Sequence, residues 1–189
     1  MSRLPLRRPE ELDAAQRAVY DAIVGGTRGA TPRDGALTNE DGSLIGPFNA
    51  MVTSPTVGGP LQAVGEALRY RSSLSDAVRE LAILVTAAHW DAPFEWWAHV
   101  RIAERAGIDP AMITAIERGE VPDVADEELR LVHEVATMLL DSGTLGDETY
   151  AAVEARFGPD GVVELLTLIG YYSTIAFILN AVAVEAPTD

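Results

Sequence analysis

The sequence predicts an all-α protein. Apolar residues recur at three- and four-residue intervals along most of the chain, alternation of period two is almost absent, and helix start and stop signals bracket the periodic stretches. Pro9 can open a first helix that passes through Leu12, Val19 and Ile23 to Gly25-Gly26. Thr27 to Gly46 is rich in Gly, Asp, Thr and Pro, and so long a loop in a compact domain is either functional or mobile. Residues 1–46 thus read as an N-terminal helix and loop, ahead of a core over 47–189 of one domain. Pro47 begins a short helix that must stop before Pro55, and Pro60 can start another. Ser75 suits an N-cap with Asp76 in the first turn, and the helix to about His89 is apolar on nearly every side, so it should be surrounded by other helices. Asp91 and Pro93 start the next helix, which Gly107 stops, and Asp109-Pro110 starts a short one ending at Gly119. The acidic linker Glu120 to Glu127 leads to periodic positions from Leu131 to Leu140. Gly146-Asp147 begins a helix that ends near Phe157-Gly158, and a last long helix runs from Gly161 to about Val184.

Composition narrows the chemistry. The 189 residues are 48% hydrophobic, which suits a globular chain with one good core. The net charge of −15 disfavours nucleic acid and anionic membranes, and an anionic substrate would need arginines placed locally. All 14 basic residues are arginine and there is no cysteine, so thiol redox chemistry, Schiff-base chemistry and thiolate metal sites are excluded. Histidines stand only at 89, 99 and 133, with no His-x-x-x-His pair, a poor inventory for a metal. Arg7-Arg8 is followed by Pro9-Glu10-Glu11 rather than an apolar run, so no export signal is read there. Leu165 to Val184 has the length of a membrane span, but it carries Tyr171, Tyr172, Ser173, Thr174 and Asn180 between acidic flanks. A helix buried in a core or a subunit interface fits it better, and the protein is expected to be cytoplasmic.

The candidate chemistry lies in two stretches, Arg79-Glu80-Leu81-Ala82-Ile83-Leu84 and Phe94-Glu95-Trp96-Trp97-Ala98-His99. Glu95 and His99 are four apart and share one helix face. A carboxylate beside an imidazole can move protons, and a second carboxylate under an apolar face can have its proton affinity raised. Each has a plainer reading: Glu80 as a buried structural acid paired with an arginine, and Glu95–His99 as an ordinary helix pair. His89 reads as a capping or packing residue and His133 as a solvated one. Trp90, Trp96 and Trp97 either line a pocket or fill core, and Tyr171, Tyr172 and Asn180 each need a hydrogen-bond partner.

Four stretches together resemble the carboxymuconolactone decarboxylase family, the all-α group that also contains the alkylhydroperoxidase AhpD. They are Gly46-Pro47-Phe48-Asn49-Ala50-Met51, Arg79 to Leu84, Glu95-Trp96-Trp97-Ala98-His99, and Glu164-Leu165 through Gly170-Tyr171-Tyr172 to Asn180. The redox branch of that family has a glutamate followed by Cys-x-x-Cys-x-x-x-His. Anchored on His99, that pattern places its glutamate at Glu80 and its cysteines at Ala92 and Glu95, so the acid and the imidazole are kept and both sulfurs are gone. The Glu-Trp-x-x-His form is similar to the decarboxylase branch.

The resemblance implies an AhpD-like helical bundle, a homo-oligomer (trimer or hexamer), and loss of carbon dioxide from a carboxylated lactone or related unsaturated acid through a dienolate. It implies Glu80, Glu95 and His99 as catalytic residues, with His99 protonating carbon or donating to the oxyanion. Arg79 or Arg101 would pair with a substrate carboxylate, and Asn49 and Trp96 would contact substrate. No cofactor is needed, because the substrate is its own electron sink. A hydrolase or isomerase of a small lactone or acid, or an oligomer that only binds a small molecule, remain alternatives on the same scaffold.

Overall fold

A computed structural model describes residues 2–30 and 37–187. The chain forms two compact units: one runs to Arg71 and takes in Ile178–Val184, and the other is Ser72–Phe177 with the tail from Glu185. Among the described residues the only β-type pairing is an isolated bridge between Thr38 and Leu44, so the all-α reading holds.

In the first unit, Pro9–Glu11 is a single 3-10 turn and helix α1 spans Ala14–Val24. The helix expected from Pro9 thus starts later. Asp13 caps it by accepting from the Gln16 amide while Gln16 reaches back, a reciprocal cap that outcompetes the proline start. The segment read as an unbroken loop holds a short helix, α2 (Thr27–Ala30), while 31–36 lie outside the described residues. Its later part is pinned: Ser43 donates to the Asp41 carboxylate, the Tyr20 hydroxyl donates to the Gly42 carbonyl, and Leu44 is buried. Helix α3 (Pro47–Thr53) is as expected. Helix α4 (Pro55–Tyr70), however, starts at Pro55, and Pro60 lies within it rather than at its head. Pro55 takes the first helical position, where its missing N–H costs nothing. Gly58 lets α4 fold tightly back on α3, since a Cβ there would sit 1.9 Å from the Met51 carbonyl oxygen.

In the second unit, helix α5 (Asp76–His89) is capped by Ser75, whose side chain accepts from the Val78 amide. Every residue from Glu80 to Ala87 is buried. Around it pack α6 (Pro93–Arg105), α7 (Pro110–Glu117) and α8 (Glu127–Ser142), the last capped by Asp126 ahead of the expected periodic stretch. Glu164 fastens the entry to α5 by accepting from the Ser73 amide and from the hydroxyls of Ser72 and Ser73.

The two C-terminal helices expected from the sequence are present: α9 (Asp147–Ala181) is two helices that meet in a kink at Gly158, whose φ of 71° and ψ of 173° are not helical. Pro159 follows and restarts the helix. Val162, Leu165, Leu168, Ile169, Tyr172, Ile175 and Ala176 recur at three- and four-residue steps and are buried in the core. By length and composition α9 could cross a membrane, and half of its most apolar window is buried within the fold. Gly158 occupies backbone space that a Cβ makes costly, so Gly158→Ala should lower stability by about 1–3 kcal/mol in chemical denaturation. An unchanged midpoint would show that the break relaxes into a continuous helix.

Candidate functional site

Two consecutive helices supply the three ionisable side chains. Helix α5 presents Glu80 from a surface that is otherwise aliphatic, and α6 presents Glu95 and His99 one turn apart. The turn from Trp90 to Ala92, with Asp91 at φ 46°, reverses the chain so that the two helices pack side by side. All three side chains are withdrawn from water, with residue exposures of 3% for Glu80, 4% for Glu95 and 7% for His99.

His99 is held at both nitrogens. Its Nδ1 lies 2.6 Å from Glu80 Oε2 and its Nε2 lies 3.4 Å from Glu95 Oε2. The first is a short charge-assisted bond; the second is longer than the roughly 2.7–2.9 Å of a strong one. Glu80 therefore fixes the proton on Nδ1 and the orientation of the ring, which leaves Nε2 as the working nitrogen. Burial pushes the His99 pKa down, but the Glu80 charge and hydrogen bond, followed by those of Glu95, outweigh it and the net shift is upward. The Tyr172 ring meets His99 edge-on with centroids 5.2 Å apart, and Tyr171 stands edge-on to Tyr172. Neighbouring aliphatic and aromatic groups keep the dielectric low, which strengthens each of these interactions.

The other residues singled out in the sequence do not join this cluster. Arg79 turns away from Glu80, pairing with Asp76 and donating to the Leu74 carbonyl. Arg101 is exposed, two positions beyond His99 and so on the far side of α6. Asn49 lies in the first unit, where both ends of its amide are used: Oδ1 accepts from the Arg7 amide and Nδ2 donates to the Pro5 carbonyl. Trp96 packs against the small residues Ala87, Ala92 and Ala176, a core-filling role. Trp90 does likewise, and its indole N–H donates to Ser173 Oγ at 2.9 Å. His89 stands edge-on to Trp90 with Asp141 3.7 Å from Nδ1, while His133 is half-buried and burial lowers its pKa. Tyr172 was visible in the sequence as a polar residue needing a partner, and its contact with His99 is the structural addition.

An open groove of about 550 Å³ lies elsewhere, lined by Asp126, Leu131, Ala152 and five charged residues of α8 and α9. Its arginines are already paired, Arg156 with Glu128 and Arg130 with Glu127, and none of the cluster residues reaches it.

Residues 55–137, which contain Glu80, Glu95 and His99, match the model of the carboxymuconolactone decarboxylase family. Over that span the chain is similar to the carboxymuconolactone decarboxylase family. The fold is also that of a solved alkylhydroperoxidase AhpD core, an uncharacterized peroxidase-related protein from Ralstonia eutropha JMP134. The TM-score is 0.75 over 99% of this chain and 93% of that one, at 14% identity, so this likeness shows the architecture alone. No curated protein matches the chain. The matched segment covers α4 to α7 and most of α8, so it holds both helices that carry the cluster.

Proposed function

We propose that the Glu80–His99–Glu95 array is a proton-transfer centre of a cofactor-independent carboxy-lyase acting on a small carboxylated lactone or related unsaturated acid. The observation that carries this reading is the buried, doubly held imidazole, with a short bond at Nδ1 and a loose one at Nε2. The likeness to that family over the segment that contains the array supports an enzyme. The absence of any cysteine argues against a thiol peroxidase, since the nucleophile of that reaction is a thiolate.

The reaction breaks the bond between a ring carbon and its carboxylate carbon. Carbon dioxide leaves, and the bonding pair stays on the ring, spread into the conjugated carbonyl as a dienolate. His99 Nε2 donates to the developing oxyanion or delivers its proton to carbon. Glu95 holds Nε2 only loosely, at 3.4 Å, and the proton that His99 gives to carbon is replaced from solvent after product leaves. An arriving carboxylate, being negative, raises the proton affinity of His99 further, so substrate binding favours the protonated donor that the product needs.

A panel of carboxylated unsaturated lactones and their open-chain acids tests the reading, with carbon dioxide and ring opening followed together. Gas evolution matched to substrate loss is expected. Substrate loss with ring opening and no gas would replace the lyase with a hydrolase on the same residues.

A further inference from the structure

The first unit holds a buried cation. Arg28 of α2 is only 6% exposed, and its guanidinium carbon lies 4.9 Å from the Phe48 ring centroid and 6.0 Å from that of Tyr70. Its Nε is buried and has no hydrogen-bond partner. Among the described residues no carboxylate forms an ion pair with it. Glu66 of α4 is already taken, its Oε1 by the hydroxyl of the adjacent Thr27 at 3.1 Å and its Oε2 by Gln62 Nε2 at 3.3 Å. The Gln62 carbonyl oxygen, in that same network, is also buried without a donor. Two aromatic faces attract a cation but do not replace its water or supply a counter-charge. Nε is the guanidinium nitrogen left buried without a partner, and the planar fork suits a flat oxyanion.

We infer that Arg28, Phe48 and Tyr70 form a binding site for a small organic carboxylate with a flat apolar body. The fork takes the carboxylate, and the rings cover the rest of the ligand as they cover the guanidinium. The flanking aromatics favour an organic acid over inorganic phosphate, which would carry more charge into an apolar setting. No sequence pattern marked this arginine, which follows a Gly-Gly pair in a stretch without periodicity.

Calorimetric titration of the full chain with benzoate, benzamide and inorganic phosphate tests the site, with thermal unfolding read alongside. Benzoate should bind saturably and raise the melting temperature, benzamide should do neither, and phosphate should bind at least tenfold more weakly. Arg28→Gln should weaken benzoate at least tenfold. Arg28→Met should unfold at a higher temperature than the wild type without ligand and gain nothing from benzoate, because the unpaired charge is gone. If Arg28→Gln fails to fold, Arg28→Lys keeps the charge without the fork and should also weaken benzoate. Benzoate affinity equal in the wild type and the folded variants, or phosphate binding in preference to benzoate, would overturn the proposal. The readout is binding and not turnover, so either result leaves the Glu80–His99–Glu95 reading where it stood.

Discussion

Replacing His99 with alanine should lower turnover of the decarboxylation substrate by about 10²-fold or more, the usual worth of a positioned proton donor. Glu80→Gln should come close to the same loss by a different route. The amide leaves the shape intact but removes the charge that holds the ring protonated through Nδ1 at 2.6 Å. The two variants then separate by their pH profiles. His99→Ala loses the pH dependence that the imidazole supplies, while Glu80→Gln keeps it with the His99 pKa moved down, since its main upward cause is gone. Wild-type rates in both variants would remove the array from the reaction. Because both substitutions fall on one hydrogen-bonded unit, their combination should cost scarcely more than His99→Ala alone.

Stability supplies the second large effect. Glu80→Ala should cost about 3 kcal/mol near pH 6, the lower edge of what breaking a buried pair costs, because the imidazole can shed its proton instead of staying charged and unpaired. The pH dependence follows from the raised folded-state pKa of His99. Such a group contributes stability that is fully present below the unfolded value, about 6.5, and is lost as the pH rises through the folded value. The gap between wild type and Glu80→Ala should therefore be widest at or just below pH 6.5 and should narrow at higher pH. Urea unfolding at a series of pH values measures it. A gap that widens with rising pH would mean that His99 is neutral in the folded protein.

Much of this was legible in the sequence because it rests on local chemistry. Ser75, Pro93, Gly107, Asp109 and Gly119 mark helix ends through their own side chains or backbone preferences, and the structure places the ends there. Glu95 and His99 face each other because four residues make about one helical turn, and Glu80 announces itself as an acid in an aliphatic run. The errors share a different origin. Two helix starts compete wherever caps and prolines crowd together, and the reciprocal Asp13–Gln16 cap and the first-position Pro55 win over Pro9 and Pro60. Arg79, Arg101 and Asn49 looked available for a ligand, yet their directions depend on Asp76, on the far face of α6 and on the backbone of Pro5 and Arg7. Arg28 is the converse, an arginine whose burial against Phe48 and Tyr70 exists only once distant segments meet.

The contact between Glu80 and His99 joins side chains 19 residues apart, on helices linked by a three-residue turn. Ring closure over so short a stretch costs little chain entropy. Assembly of the charged array is therefore a neighbourly event along the backbone, one that requires no distant part of the polypeptide to arrive first.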